Sequence, residues 1–273
     1  MNFLPALLYA LLMNVVPLVE VIATGRSPAV LLLLYWFETV LLLVTGTVRI
    51  IVHRRATDRA GHYAATQTTA DPNADAAATR RSLADANAFL RSFLGITVIF
   101  TVAHGVFVAL LVFLFKIAGP VTWADARAAL LYAIAVQGFF LLWDLPRIAH
   151  WSFAELSRNV GTVSLRVLIT QLGLIFGLPV TGLTGSAWGF VGTFVALRAV
   201  GDACIGWLQG LLKQRDLPRG VARVLSRTSG QSPESLEAEF DALKARGAEV
   251  EALLELPIGE ARRGGVSRAE AAR

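Results

Sequence analysis

Six apolar stretches, roughly 3–23, 29–52, 93–117, 126–143, 162–180 and 188–212, alternate with polar segments along the chain. Each approaches the ~20 helical residues, at about 1.5 Å per residue, that cross a hydrocarbon core. The pattern predicts an all-α polytopic membrane protein with six transmembrane helices. Short polar turns separate them. Thr24 to Pro28 follows the first stretch, Gly119-Pro120 breaks the third, and Pro146 marks the end of the fourth.

Two longer polar segments remain. The first, 53–92, reads as a cytoplasmic loop. Between Ala64 and Thr79 it carries no apolar side chain larger than alanine, so it buries too little surface to offset ordering and reads as disordered. Towards its end Leu83, Phe89 and Leu90 alternate with Arg80, Arg81, Asp85 and Arg91, the pattern of a short amphipathic helix at the interface. The second is the cytoplasmic tail, 213–273, appended to the membrane domain 1–212. Arg215, Arg219, Arg223 and Arg227 recur every four residues and form a basic stripe on a helix, suited to anionic lipid at the cytoplasmic face. Ser232-Pro233-Glu234 reads as a helix start, and Leu236, Phe240 and Leu243 give that helix one apolar stripe. Gly247 is expected to end it. Val250, Leu253, Leu254 and Leu256 predict a second short helix stopped by Pro257, and 259–273 reads as a disordered end. The stripe is expected to pack on the bundle or on a protein partner, since so short a helix is marginal alone.

Composition sharpens this picture. Charged residues make up 16% of the chain, against about 25% in soluble domains, and hydrophobic residues 55%. The net charge of +5 comes from arginine-rich loops, not from a basic stripe with interleaved aromatics, so nucleic-acid binding is excluded. Arginines flank loop 53–92, the fourth-to-fifth connection and the start of the tail, which all fall on one side of six spans. The positive-inside rule then puts both termini in the cytoplasm. The first stretch lacks the basic flank of a signal peptide and is expected to be retained. The arginine-over-lysine and alanine bias suggests a GC-rich bacterial genome, hence the bacterial inner membrane. The single Cys204 forms no intramolecular disulfide.

Candidate chemistry lies in the few polar groups at mid-depth: Asn14, Glu38, His104, Arg198 and Asp202. Ionisable groups at this depth are costly and usually face the bundle interior in pairs. Arg198 and Asp202 share a helical face at spacing four and are expected to pair, leaving Glu38 and His104 as a second pair or as partners across the bundle. Such a cluster relays a proton, coordinates an ion or holds an anionic solute; the same residues also serve as interhelical pegs. Glu20, Gln137, Asp144 and Arg166 lie nearer span ends or are uncharged, and read as structural. Of the four histidines only His104 is deep, so neither a haem site nor a metal site is predicted, and no catalytic constellation or cofactor.

Tyr35-Trp36-Phe37-Glu38, His104-Gly105-Val106-Phe107 and Leu197-Arg198-Ala199-Val200-Gly201-Asp202 carry a resemblance. With Arg166, they resemble the short signatures of a family of bacterial multi-pass membrane proteins known only as a domain of unknown function. The likeness covers roughly 1–212. Gln171 and Trp207 stand where the family pattern suggests histidines, which weakens any metal or proton-relay carry-over. The resemblance implies the fold and the residue set and no reaction. The expected function is a carrier or pore for a small solute or ion; the alternative is a non-catalytic scaffold recruiting a partner through its tail.

Overall fold

The computed structural model describes residues 8–65, 85–114, 119–213 and 232–263; the side chains of Asp202 and of 205–213 lie outside the description. The described residues are helical, without strands. In chain order the helices are α1 (Leu8–Thr24), α2 (Ala29–Thr57), α3 (Ala88–Leu114), α4 (Trp123–Ile148), α5 (Phe153–Thr184), α6 (Ala187–Lys213) and α7 (Pro233–Glu255). Four are long and apolar enough to cross a membrane: α2, α3, α4 and α5 as far as Gly177. α1 and the Trp188–Gly201 part of α6 are shorter apolar helices.

Several boundaries differ from the sequence expectation. Pro146 and Pro179 lie inside α4 and α5 and do not end them. Proline removes the backbone donor to the carbonyl four residues earlier, and α4 runs on for only two residues beyond it, to Ile148. α5 begins at Phe153, separated from α4 by a short turn. α4 starts at a capping box in which Thr122 and Asp125 satisfy each other's backbone N–H groups.

The chain forms two compact units. The first contains Met1–Val52, Phe93–His150 and Arg158–Cys204. Its core joins Leu31, Leu32 and Tyr35 of α2 to Val108 and Leu111 of α3, Ala133 of α4, and Phe190 and Phe194 of α6. Glycines let aromatic rings sit against helix backbones. A Cβ on Gly46 would lie 2.7 Å from the Phe93 ring, and one on Gly105 2.6 Å from Trp36 Nε1.

α1 carries a π-helical stretch at Leu11–Val15, where the Val16 N–H bonds to the Leu11 carbonyl. Pro17 prevents the next bond in that register. The Leu12 carbonyl would take the N–H of residue 17, and proline has none. The Tyr132 hydroxyl of α4 donates to that carbonyl instead, at 2.5 Å.

The second unit contains His53–Ser92, Trp151–Ser157 and Ile205–Arg273. Its described part joins the tail to a 3₁₀ turn at Ala60–Tyr63. Ala60 N donates to Leu256 O (2.8 Å), Ile258 N to Asp58 O (3.1 Å) and Arg59 Nη1 to Glu255 O (2.5 Å). Glu255 Oε1 accepts from the backbone N–H of Ala154 (2.9 Å), in the first turn of α5. Ala60, Leu253 and Ala261 are buried together against Tyr63 and Ile258. The reversal needs Asp58 at φ +46° and Gly61, where a Cβ would lie 2.3 Å from the Phe153 ring.

Two expectations for the tail change here. α7 runs through Gly247 to Glu255, making one helix of the two expected. The docked residues are Val250, Leu253 and Leu254, whereas Leu236 and Phe240 are half-buried and Leu243 is exposed. The basic stripe Arg215, Arg219, Arg223 and Arg227, Leu83 and most of the loop read as disordered lie outside the described residues.

His53 and His62 are buried at the centre of this unit. The Trp151 carbonyl accepts from His53 Nε2 (2.9 Å), so His53 Nδ1 is left to accept from His62 Nε2 (2.7 Å). His62 Nδ1 then carries a lone pair with no hydrogen-bond partner, beside the Phe89 and Phe153 rings. Burial, followed by the nearby His53 and Arg54, pulls the His62 pKa down to about 3.

Candidate functional site

The polar side chains of the first unit converge on Glu38. It lies one and a half turns beyond Leu32 and Leu33 on α2 and is fully buried. Arg198 of α6, only 3% exposed, reaches it from 160 positions away. Its Nη2 donates to Glu38 Oε1 at 2.5 Å and Oε2 at 2.6 Å, so one nitrogen is shared between both carboxylate oxygens. Arg198 Nη1 donates to Thr170 Oγ1 of α5 at 3.2 Å, and the guanidinium lies 4.5 Å from the centroid of the Tyr35 ring. Ion pair, hydroxyl and ring together fix the arginine in a low-dielectric setting, where each contact is stronger than in water.

A second arm runs to α1 and α4. The Tyr9 hydroxyl donates to Glu38 Oε1 at 2.6 Å and accepts from Gln137 Nε2 at 2.6 Å. Arg166 of α5 lies over the Tyr9 ring at 4.2 Å. α3 joins through His104, fully buried, whose Nδ1 is 3.4 Å from Thr39 Oγ1, and through the Phe100 carbonyl, which accepts from Gln171 Nε2 at 3.0 Å. Each of α1 to α6 therefore contributes to one connected group of polar contacts.

The Thr39 hydroxyl donates to the Tyr35 carbonyl at 2.9 Å. Having spent its proton, it can only accept from His104, which places the imidazole proton on Nδ1. His104 Nε2 is then a bare lone pair, and it has no hydrogen-bond partner.

Glu38 has its partner across the bundle, in Arg198, and His104 faces Thr39; the expected Arg198–Asp202 contact falls on a side chain outside the described residues. Asn14 is buried in the π-helical stretch, where its Nδ2 donates to the Ala10 carbonyl at 3.1 Å. Gln137 and Arg166, read from sequence as structural, both contact Tyr9. Asp144 takes Arg49 Nε at 3.1 Å and Nη2 at 2.9 Å on one oxygen, forming an ion pair apart from the Glu38 group. Tyr9 and Thr170 carry no signal in the sequence that separates them from other residues of apolar helices, and Tyr35 carries only its place in the Tyr35-Trp36-Phe37-Glu38 segment.

The segments that carry the family resemblance meet here. Tyr35 lies under Arg198, Trp36 against Gly105, and Glu38 against Arg198. Among the described residues, no group of three or more His, Cys, Asp or Glu side chains is placed to hold a metal ion. The model of a family of unknown function, DUF6498, matches residues 3–227. No curated protein and no solved structure matches the chain.

Proposed function

The chain belongs to that family of unknown function, and we propose that it is a membrane-embedded carrier for a small solute or ion, with Glu38 and Arg198 as its binding pair. In this reading α1 and α6 complete six spans, the protein lies in the bacterial inner membrane, and both termini are cytoplasmic. The observation that carries the proposal is the fully buried Arg198–Glu38 pair with helices α1 to α6 arranged around it. Desolvating two charges costs several kcal/mol per ion, and an apolar pair of similar volume is often as stable or more so. A bundle that only needed pegs has cheaper ones. Charges within spans generally mark substrate or ion paths.

The chemistry of binding rests on the pair. An anion replaces the Glu38 carboxylate on the Arg198 fork, or a cation replaces the guanidinium on Glu38. Tyr9 and Gln137 hold the carboxylate in place during the exchange. The test is a melting-temperature screen of the purified protein in detergent against small anions, cations and polar metabolites. A ligand that raises the melting temperature of the native protein and not that of folded Glu38→Gln supports the site. If the same ligands shift both proteins equally, Glu38 is a peg.

The scaffold reading keeps one observation in its favour. The Leu236, Phe240 and Leu243 stripe lies N-terminal to the part of α7 that docks. Recovery of the same cellular partners by the native chain and by Leu236→Ser/Leu243→Ser would remove it.

A further inference from the structure

α2 and α3 run antiparallel. Trp36 meets Gly105, Thr39 meets His104, and Gly46 meets Phe93. Between the last two contacts, α3 presents Phe93, Thr97, Thr101 and His104, at spacings of four, four and three, on one helical face. All four are buried. Their polar atoms share a further property: Thr97 Oγ1, Thr101 Oγ1 and His104 Nε2 have no hydrogen-bond partner.

The two threonines are unusual in this protein. Thr39, Thr47, Thr162, Thr170 and Thr193 each donate to the carbonyl four residues earlier, at 2.8 or 2.9 Å. That bond is always within reach of a threonine in a helix, so a buried hydroxyl that forgoes it loses stability unless something else satisfies it. Three such atoms in a row span about 10 Å along the helix, at 1.5 Å per residue. Water satisfies buried polar groups of this kind where two to four partners are near.

We propose that the α2–α3 seam is a proton path, in which water in file along Thr97 and Thr101 delivers protons to His104 and on to Glu38. A proton donated by water adds to the Nε2 lone pair of His104 while the ring releases its Nδ1 proton on the Thr39 side. The Thr39 hydroxyl receives it and gives up its own proton, and water carries that proton the remaining way to Glu38. An O–H bond forms on the carboxylate, and the ion pair to Arg198 is broken. The freed guanidinium then binds an anion, so one proton and one negative charge move together. This rests on the carrier reading of the same pair and names its ions: a proton with a small anion.

The experiment uses the full chain in liposomes holding a pH-sensitive dye, with a potassium diffusion potential as driving force. Native protein is expected to admit protons faster than empty vesicles. Thr97→Val/Thr101→Val is expected to lower that rate by about tenfold or more, a barrier change of about 1.4 kcal/mol. Its melting temperature is expected to stay level, because valine keeps the shape of threonine and leaves no buried polar group to satisfy. Thr97→Ser/Thr101→Ser keeps the hydroxyls and should keep the rate. Native uptake no faster than in empty vesicles, or a valine variant that conducts like the native chain, overturns the proton path. Proton uptake in a protein whose melting temperature no solute raises keeps the path and removes the solute carrier. A solute-dependent shift without proton uptake does the reverse.

Discussion

Replacing Arg198 by alanine leaves the Glu38 carboxylate fully buried, with the Tyr9 hydroxyl as its remaining donor among the contacts described. Breaking a buried pair from one side costs about 3–5 kcal/mol, because the surviving charge is left without compensation. Glu38→Leu strands Arg198 in the same way, and a similar loss is expected. The double variant Glu38→Leu/Arg198→Met has no charge to strand. It is expected to lose much less than the two single losses added together, and apolar replacements of buried pairs often lose nothing. Arg198→Lys is expected to fall between native and alanine. Its ammonium cannot bridge both carboxylate oxygens and Thr170 together, and it stacks less well on Tyr35. Reversible denaturant unfolding in mixed micelles, followed by tryptophan fluorescence, gives the cycle. A double variant whose loss equals the sum of the singles would show that the two residues do not interact, and the binding pair would fail with it.

Three further outcomes are expected. His62 is neutral in the fold and depressed to about 3, whereas an unfolded histidine titrates near 6.5, so its contribution is complete above pH ~6.5 and declines as pH falls towards 3; protease protection of the tail should fall with it, and His62→Phe should flatten the decline. Gly105→Ala puts a Cβ 2.6 Å from Trp36 Nε1, and the helices must separate at a cost of about 1–3 kcal/mol, read as a lower melting temperature with a shifted tryptophan emission. Reporter fusions at both termini should report a cytoplasmic location; phosphatase-type activity from a C-terminal fusion would reverse the orientation.

The elements were legible because long apolar runs have few alternatives, and depth along a run picked out Glu38, His104 and Arg198. The contact that Glu38 makes was not, because Arg198 lies 160 positions away and their meeting depends on how α2 and α6 lie together. Tyr9 is invisible for a different reason. An aromatic in an apolar helix is ordinarily core, and only the carboxylate opposite turns its hydroxyl into a ligand. Arg166 reads as structural from its place near a span end, because a cation over a ring leaves no trace in one-dimensional spacing. Local rules also misjudged the punctuation. Gly247 and Pro146 are breakers by propensity, but α7 and α4 run through them.

The π-helical stretch of α1 acts as a gear. A π turn places one more residue in the helix than α-helical phase allows, so Leu8–Ala10 are rotated by about 100° relative to the part of α1 that follows Leu11–Val15. Tyr9 lies before the stretch, and Val21, buried in the main core, lies after it. One helix thereby presents two faces, with the carboxylate's ligand set by the first and the packing by the second. The Tyr132–Leu12 hydrogen bond is the pawl that holds this setting. Were it to slip by one residue, Tyr9 would swing off Glu38 while the core around Val21 stayed in place, releasing the carboxylate without disturbing the rest of the bundle.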